Sequence, residues 1–204
     1  MATKRTPIVK LSRRLGITLG KEKYVKRRPY PPGVHGPKQA RRRPRLSSFG
    51  EQLKEKQKAK AIYGVMEKQF AGYFEKATRR EGNTAENLVQ LLETRLDNVI
   101  YRLGWARTRR QSRQMVSHGF IQVNGARVDI PSFIVSVGDV ITVKASKVEK
   151  GIIKVIPEAM NLGTLPSWIS RDEKTMTGKI TAIPEGEDLK QGFDPTFIVE
   201  FYSR

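Results

Sequence analysis

Thr108-Arg109-Arg110-Gln111-Ser112-Arg113-Gln114-Met115-Val116-Ser117-His118-Gly119-Phe120-Ile121-Gln122-Val123-Asn124-Gly125-Ala126-Arg127-Val128 decides the fold of this chain. Thr108 and Gln111 have the spacing of a capping box, in which side chains satisfy the free amides of a helix start. Ser112, Met115 and Val116 fall within an arc of about 100° and are small or apolar, so that face can bury. His118 closes the helix, and Gly119 stands where a left-handed C-terminal cap belongs. Phe120 to Val123 then leads into Asn124-Gly125, two residues that tolerate positive φ and give the strongest short hairpin signal. The pattern predicts a helix over 108–118 and an antiparallel hairpin after it.

Working outward, Leu88, Leu92, Leu96, Val99, Ile100 and Leu103 recur at helical spacing between Asn83 and Gly104, as expected of one amphipathic helix. Ser48 and Glu51 suggest another capping box, opening a helix whose face is Ile62, Met66, Phe70, Tyr73 and Ala77. Gly64 and Gly72 interrupt that run and are expected to permit close packing. Lys54, Lys56, Lys58 and Lys60 fall mostly off its apolar face. Downstream, Val135 to Val143 reads as two short strands around Gly138-Asp139. Residues 151–190 hold β-like pieces such as Ile152 to Ile156, and Phe197 to Tyr202 reads as a terminal strand. The fold class is α+β. The expected organisation is a basic irregular arm over 1–46 and a helical domain over 47–90, completed by 185–204. An inserted module with short antiparallel strands occupies 91–150, and a mixed connecting segment 151–184.

Charge narrows the function. The 204 residues carry 39 Lys and Arg against 20 Asp and Glu, a net of +19. Residues 1–46 alone hold 15 Lys or Arg against the single acid Glu22. A one-signed run mixed with Pro and Gly cannot collapse on itself and reads as a polyanion-binding arm, poorly ordered until it meets its partner. No apolar run approaches the roughly 18 residues of a spanning helix, so a membrane partner is not expected; nor is a secretory signal. There is no cysteine, which removes disulfides, thiolate catalysis and cysteine-ligated metal, and fits a cytoplasmic protein.

The candidate site is the 108–118 helix. Arg109, Arg110 and Arg113 share an arc beside its apolar face, and Arg107 adds a cation near the helix start, where free amides favour phosphate. Guanidinium suits such work because its planar fork binds phosphate oxygens and stacks on bases. Replacing Arg109, Arg110 and Arg113 by Glu is expected to weaken nucleic-acid binding with the fold intact. Thr108, Gln114, His118 and Asn124 complete the candidate binding set on this module. In the arm the candidates are Arg13, Arg14, Arg27, Arg28, Tyr30 and His35, then Arg41, Arg42, Arg43 and Arg45; Lys54 and Lys58 follow on the next helix.

Leu91 to Gly104 and Thr108 to Val116, with His118-Gly119, Val123-Asn124-Gly125 and Val137 to Ile141, resemble the small RNA-binding module named after the fourth protein of the small ribosomal subunit. The flanks carry the likeness further. Arg28-Pro29-Tyr30-Pro31-Pro32-Gly33-Val34-His35-Gly36 resembles the Pro-Gly signature of that bacterial ribosomal family. Leu53 to Lys58 and Tyr63 to Phe70 resemble its helical domain, and Ile198 to Arg204 its C-terminus. The resemblance implies a non-enzymatic primary binder of the 5′ domain of 16S ribosomal RNA, acting early in subunit assembly and bearing on decoding accuracy. It implies neighbours among small-subunit proteins three and five, and messenger RNA where it enters the subunit. It implies no cofactor and no small-molecule substrate. Many members hold a cysteine-ligated zinc in the arm; without cysteine, RNA contacts are expected to organise this one.

Two other readings compete. An RNA-modifying enzyme could use the same module as its grip, but it would need an activated carboxylate or a cofactor loop, and the acids here are scattered. A general basic nucleic-acid binder would not distinguish ribosomal RNA from duplex DNA. His35 and His118 have no carboxylate close in sequence to make a general base or metal site. Gly33-Val34-His35-Gly36 matches a GXXG loop formally, but its flanking prolines Pro31, Pro32 and Pro37 exclude the helix pair such a loop joins. Trp105 and Trp168 are expected in a core or interface rather than stacked on bases.

Overall fold

The computed structural model of the chain describes residues 6–41, 46–144, 165–172 and 175–204, without the side chains of 39–41. The expected strand over Ile152 to Ile156 lies outside them. The chain is α+β and divides into two compact units: Met1–Ala85 with Gln191–Arg204, and Glu86–Lys190.

In the first unit, the segment expected to be irregular contains three short helices, α1 (Ile8–Leu15), α2 (Glu22–Arg27) and α3 (Gly36–Arg41). The reason is packing that composition hides. α1 lies against α2 and α4 (Ser48–Tyr63) and buries Leu11, Ser12 and Leu15. Arg13 clasps the Pro-rich stretch: Nε donates to the Tyr30 carbonyl at 2.9 Å and Nη2 to that of Pro31 at 3.3 Å. Its guanidinium also sits 4.8 Å from the centre of the Tyr30 ring. Gly36 is required beside this clasp, because a Cβ there would stand 1.9 Å from the Pro31 carbonyl oxygen. Within residues 6–41 the chain therefore makes ordering contacts of its own, which its composition did not reveal.

The start of α4 differs by one residue from the expected cap: the Ser47 hydroxyl accepts from the Gly50 amide at 3.2 Å. Gly64, at φ 65°, ends α4 in a left-handed cap, so the single expected helix is two, the second being α5 (Glu67–Thr78). Gly72 has nothing within 4 Å of an added Cβ, so close packing is not its reason. The expected terminal strand is a helix, α9 (Pro195–Tyr202). The Asp194 carboxylate accepts from the Thr196 amide at 2.8 Å, and Pro195 opens the first turn, where its missing N–H costs nothing. Tertiary packing overrides the β propensity of Phe197-Ile198-Val199. Ile198 is buried, and the Phe201 ring lies 5.5 Å from that of Phe49 on α4.

The second unit takes in most of α6 (Thr84–Glu93), then α7 (Leu96–Arg102) and α8 (Arg109–Ser117). The helix expected over 83–104 breaks at Thr94-Arg95 because the backbone there pairs with a loop. Leu96 N donates to Phe133 O at 2.8 Å, and Val135 N to Thr94 O at 3.0 Å. For the same reason the first of two strands expected after Val135 is only an isolated bridge, Ile134 to Arg95. The hairpin forms as read, β1 (Ile121–Val123) and β2 (Ala126–Arg127), with Asn124 at φ 50° and Gly125 at φ 80°. With β3 (Val140–Val143), β4 (Ile169–Asp172) and β5 (Thr177–Ile180) it builds an antiparallel sheet ordered β2-β1-β3-β5-β4. The core joins Leu96, Val99, Ile100 and Leu103 of the α7 segment to Met115 and Val116 of α8, and to Ile121, Ile141 and Ile180 of the sheet. Trp105 and Trp168 are buried in it.

Candidate nucleic-acid interface

The start of α8 follows from its cap. The Thr108 hydroxyl accepts from the Gln111 amide at 3.2 Å, and the Gln111 side chain accepts from the Arg107 amide at 3.0 Å. Ser112, Met115 and Val116 face the core, which fixes the rotation of the helix. Arg107, Arg110, Gln114 and His118 are left exposed, with His118 at the C-cap. Arg109 and Arg113 do not share that exposure. Arg109 Nε donates to Asn98 Oδ1 at 2.7 Å, and its guanidinium lies 4.4 Å from the Tyr101 ring centre. Arg113 Nη1 is 3.5 Å from Asp97 Oδ2. The expectation that Arg109, Arg110 and Arg113 could all become Glu with the fold intact is therefore corrected: two of the three are tied to α7.

Those ties belong to a buried polar network that charge counting does not reveal. Glu93, Arg95, Asp97 and Asn98 are all buried. Arg95 holds Asp97 with two bonds, Nε to Oδ1 at 3.1 Å and Nη2 to Oδ2 at 2.7 Å. Arg102 holds Glu93 in the same forked way, at 2.9 Å for each bond. Asn98 Nδ2 donates to the Glu93 backbone carbonyl at 2.9 Å and to its Oε2 at 2.8 Å. Arg95, Arg102 and Arg113 thus meet two carboxylates, and Arg109 reaches the same network through Asn98. Paired, hydrogen-bonded burial of this kind avoids the cost of isolated charge and fixes geometry. The sequence does carry a signal for it: Glu93, Arg95, Asp97, Asn98 and Arg102 crowd the shoulder of the apolar stripe.

Asn124 is exposed, but its side chain serves the turn: Nδ2 donates to Asp139 Oδ1 at 2.8 Å, and Oδ1 accepts from the Val140 amide at 2.9 Å. In the first unit Arg14, Arg27, Arg28 and His35 are exposed, whereas Arg13 and Tyr30 form the clasp. Arg42, Arg43, Arg45 and the side chain of Arg41 lie outside the described residues. Lys54 is exposed, and Lys58 pairs with Glu55 at 2.6 Å. Lys56 and Lys60 were expected mostly off the packed face of α4; instead they are buried. Lys56 Nζ contacts Glu67 Oε1 at 2.9 Å and lies 3.9 Å from the Phe201 ring centre, while Lys60 Nζ contacts Glu67 Oε2. Burial alone would raise the Glu67 carboxyl, but bonds from Lys56, Lys60 and Tyr202 outweigh it and hold it down at about 2. Burial, then the Glu67 carboxylate, pushes the Tyr202 phenol up.

The donor set does not suit a cysteine-ligated zinc, since the chain has no cysteine. Among the described residues no His, Asp and Glu gather in threes, and no helix is long and apolar enough to cross a membrane.

A helix pair set on a small antiparallel sheet, with arginines at the start of its second helix, defines an RNA-binding module of the S4-domain class. Residues 94–141 match the family profile described as "S4 domain", and residues 3–93 match "Ribosomal protein S4/S9 N-terminal domain". The chain is 48% identical over 206 residues to the small ribosomal subunit protein uS4 of Listeria welshimeri, and 49% over 205 residues to that of Geobacillus stearothermophilus. Both alignments cover 100% of each chain. Identity with the uS4 protein of Thermodesulfovibrio yellowstonii is 51% over 178 residues, 87% of this chain and 84% of that one. The chain belongs to the family of small ribosomal subunit protein uS4, a family of ribosomal structural proteins and not of enzymes.

Proposed function

We propose that this chain is a primary binder of 16S ribosomal RNA that docks on the 5′ domain, acts early in small-subunit assembly and influences decoding accuracy. It works in the cytoplasm as part of the small subunit, beside ribosomal proteins three and five and close to messenger RNA. The carrying observation is the exposed pair Arg107 and Arg110 at the start of α8, where guanidiniums and the positive end of the helix dipole together favour phosphate. Arg109 and Arg113 flank them in orientations held from α7, and Thr108, Gln114, His118 and Asn124 are the module's further candidates for RNA contact. A second contribution comes from the arm, through Arg14, Arg27, Arg28 and His35 and through the basic run Arg41, Arg42, Arg43 and Arg45. Arg13 and Tyr30 act there mainly by shaping the surface; on α4, Lys58 pairs with Glu55 and Lys54 faces solvent.

The test is binding of the full chain to a 5′-domain transcript across a salt series, with duplex DNA as competitor. Affinity should fall steeply with salt, and Arg107→Glu with Arg110→Glu should lower the slope by roughly 0.7–0.9 for each phosphate no longer neutralised. Footprints should lie within the 5′ domain. Equal affinity for duplex DNA near physiological salt would sink the reading.

A further inference from the structure

Two arginines of α8, Arg109 and Arg113, are held by α7 residues that need not themselves touch RNA. Asn98 is 2% exposed and Glu93 is fully buried. The amide nitrogen of Asn98 is committed twice to Glu93, to its backbone carbonyl and to its carboxylate. That commitment fixes which way the amide is turned, since only nitrogen can donate, and leaves the oxygen aimed at Arg109 Nε, 2.7 Å away. Tyr101, one turn further along α7, supplies the second surface, with the guanidinium 4.4 Å from its ring centre. An amide oxygen and a ring face orient Arg109. Along α8, Arg110 is exposed, Arg109 is held by Asn98 and Tyr101, and Arg113 lies beside the Asp97 carboxylate that Arg95 already grips.

We infer that Asn98, fixed by Glu93, is a positioning residue for RNA recognition, setting the plane of the Arg109 guanidinium before RNA arrives. This rests on the RNA-binding role proposed above. A long side chain ordered during folding loses less freedom on binding, so preorganisation appears as affinity without any contact between Asn98 and RNA. Asn98→Ala leaves net charge unchanged, so the salt slope should stay constant while affinity falls.

The test is a double-mutant cycle on the full chain, with Asn98→Ala and Arg109→Ala measured singly and together for binding to a 5′-domain transcript. Asn98→Ala should weaken binding about fivefold, the coupling expected of residues in direct contact. In the Arg109→Ala background the same change should have no further effect. A purely structural Asn98 would instead weaken binding equally in both backgrounds, and that result overturns the inference. Asn98→Ser keeps an acceptor of shorter reach and provides a second cycle should the alanine variant lose helix signal by circular dichroism. If the unaltered chain does not prefer the transcript, the RNA-binding proposal fails and this inference falls with it. If that chain binds and the cycle is additive, only the inference fails.

Discussion

Replacing Glu67 by Gln removes the carboxylate that both Lys56 and Lys60 contact, while leaving a side chain of the same shape. Lys56 and Lys60 are 6% and 8% exposed, so their ammoniums cannot simply turn to water. Stripping the partner from a fully buried pair costs about 3–5 kcal/mol. The Glu67 side chain is 49% exposed, however, and screening reduces that sharply, toward the sub-kcal values of surface pairs. About 1–2 kcal/mol is the resulting expectation. The pH dependence has a definite sign. Folding lowers the Glu67 carboxyl from 4.5 to about 2, so the unfolded chain binds the proton more readily and acid favours unfolding. The contribution is complete above about pH 4.5 and is lost as the pH falls toward 2. Both tryptophans, Trp105 and Trp168, belong to the other unit, so urea unfolding of this unit should be followed by far-ultraviolet circular dichroism. The stability gap between the unaltered chain and Glu67→Gln should be about 1–2 kcal/mol at pH 7 and close toward zero near pH 2. A gap that is absent at neutral pH, or constant between about pH 7 and 2, would refute the assignment of Glu67 as counter-ion to the two lysines.

Gly178→Ala should destabilise the second unit by about 1–3 kcal/mol through overpacking, because the new Cβ would meet Leu103 Cδ1 at 2.6 Å; tryptophan fluorescence during urea unfolding reads it. Gly64→Ala should cost about 1 kcal/mol at a left-handed cap with open space around it, seen as a lower helix melting temperature. Arg113→Glu should destabilise by about 3 kcal/mol, since it sets a second carboxylate beside Asp97 in a largely buried place. Arg107→Glu with Arg110→Glu should leave the same unfolding curve within about 0.5 kcal/mol, as exposed substitutions do. Equal thermal stability for those two variants would contradict the division between inward and outward arginines.

Elements written in local signals were legible in the sequence. Thr108, Gln111, Gly119 and Asn124-Gly125 specify α8 and the hairpin through caps and turns whose partners lie a few residues away. Elements decided by distant partners were not. The break at Thr94-Arg95 depends on the backbone of Phe133 to Val135. The terminal segment has a strand-like run of Phe197, Ile198 and Val199, and only its seat on α4 makes it a helix. The arm reads as uncollapsed charge, yet Leu11 and Leu15 have a face to bury against, and Arg13 finds carbonyls that proline leaves free to accept. Within the site, the position of the arginines on α8 was readable, but not their direction, which acids and an amide on another helix decide.

That distinction changes what the chain's charge means. An excess of basic residues reads as an offer to a polyanion only where the cations face outward. Lys56 and Lys60 turn inward to a carboxylate and aromatic rings, Arg95 and Arg102 lock buried acids, and Arg13 ties two stretches of the arm. These cations are structural, and their removal should lower stability at every salt concentration. Arg14, Arg27, Arg28, Arg107 and Arg110 are exposed, and their removal should appear in the salt slope of RNA binding while folding is untouched. Arg109 stands between the classes. Under the function proposed above its charge serves RNA while its orientation belongs to the fold, so its substitution should disturb both measurements. In that proposal packing and recognition depend there on the same hydrogen bond.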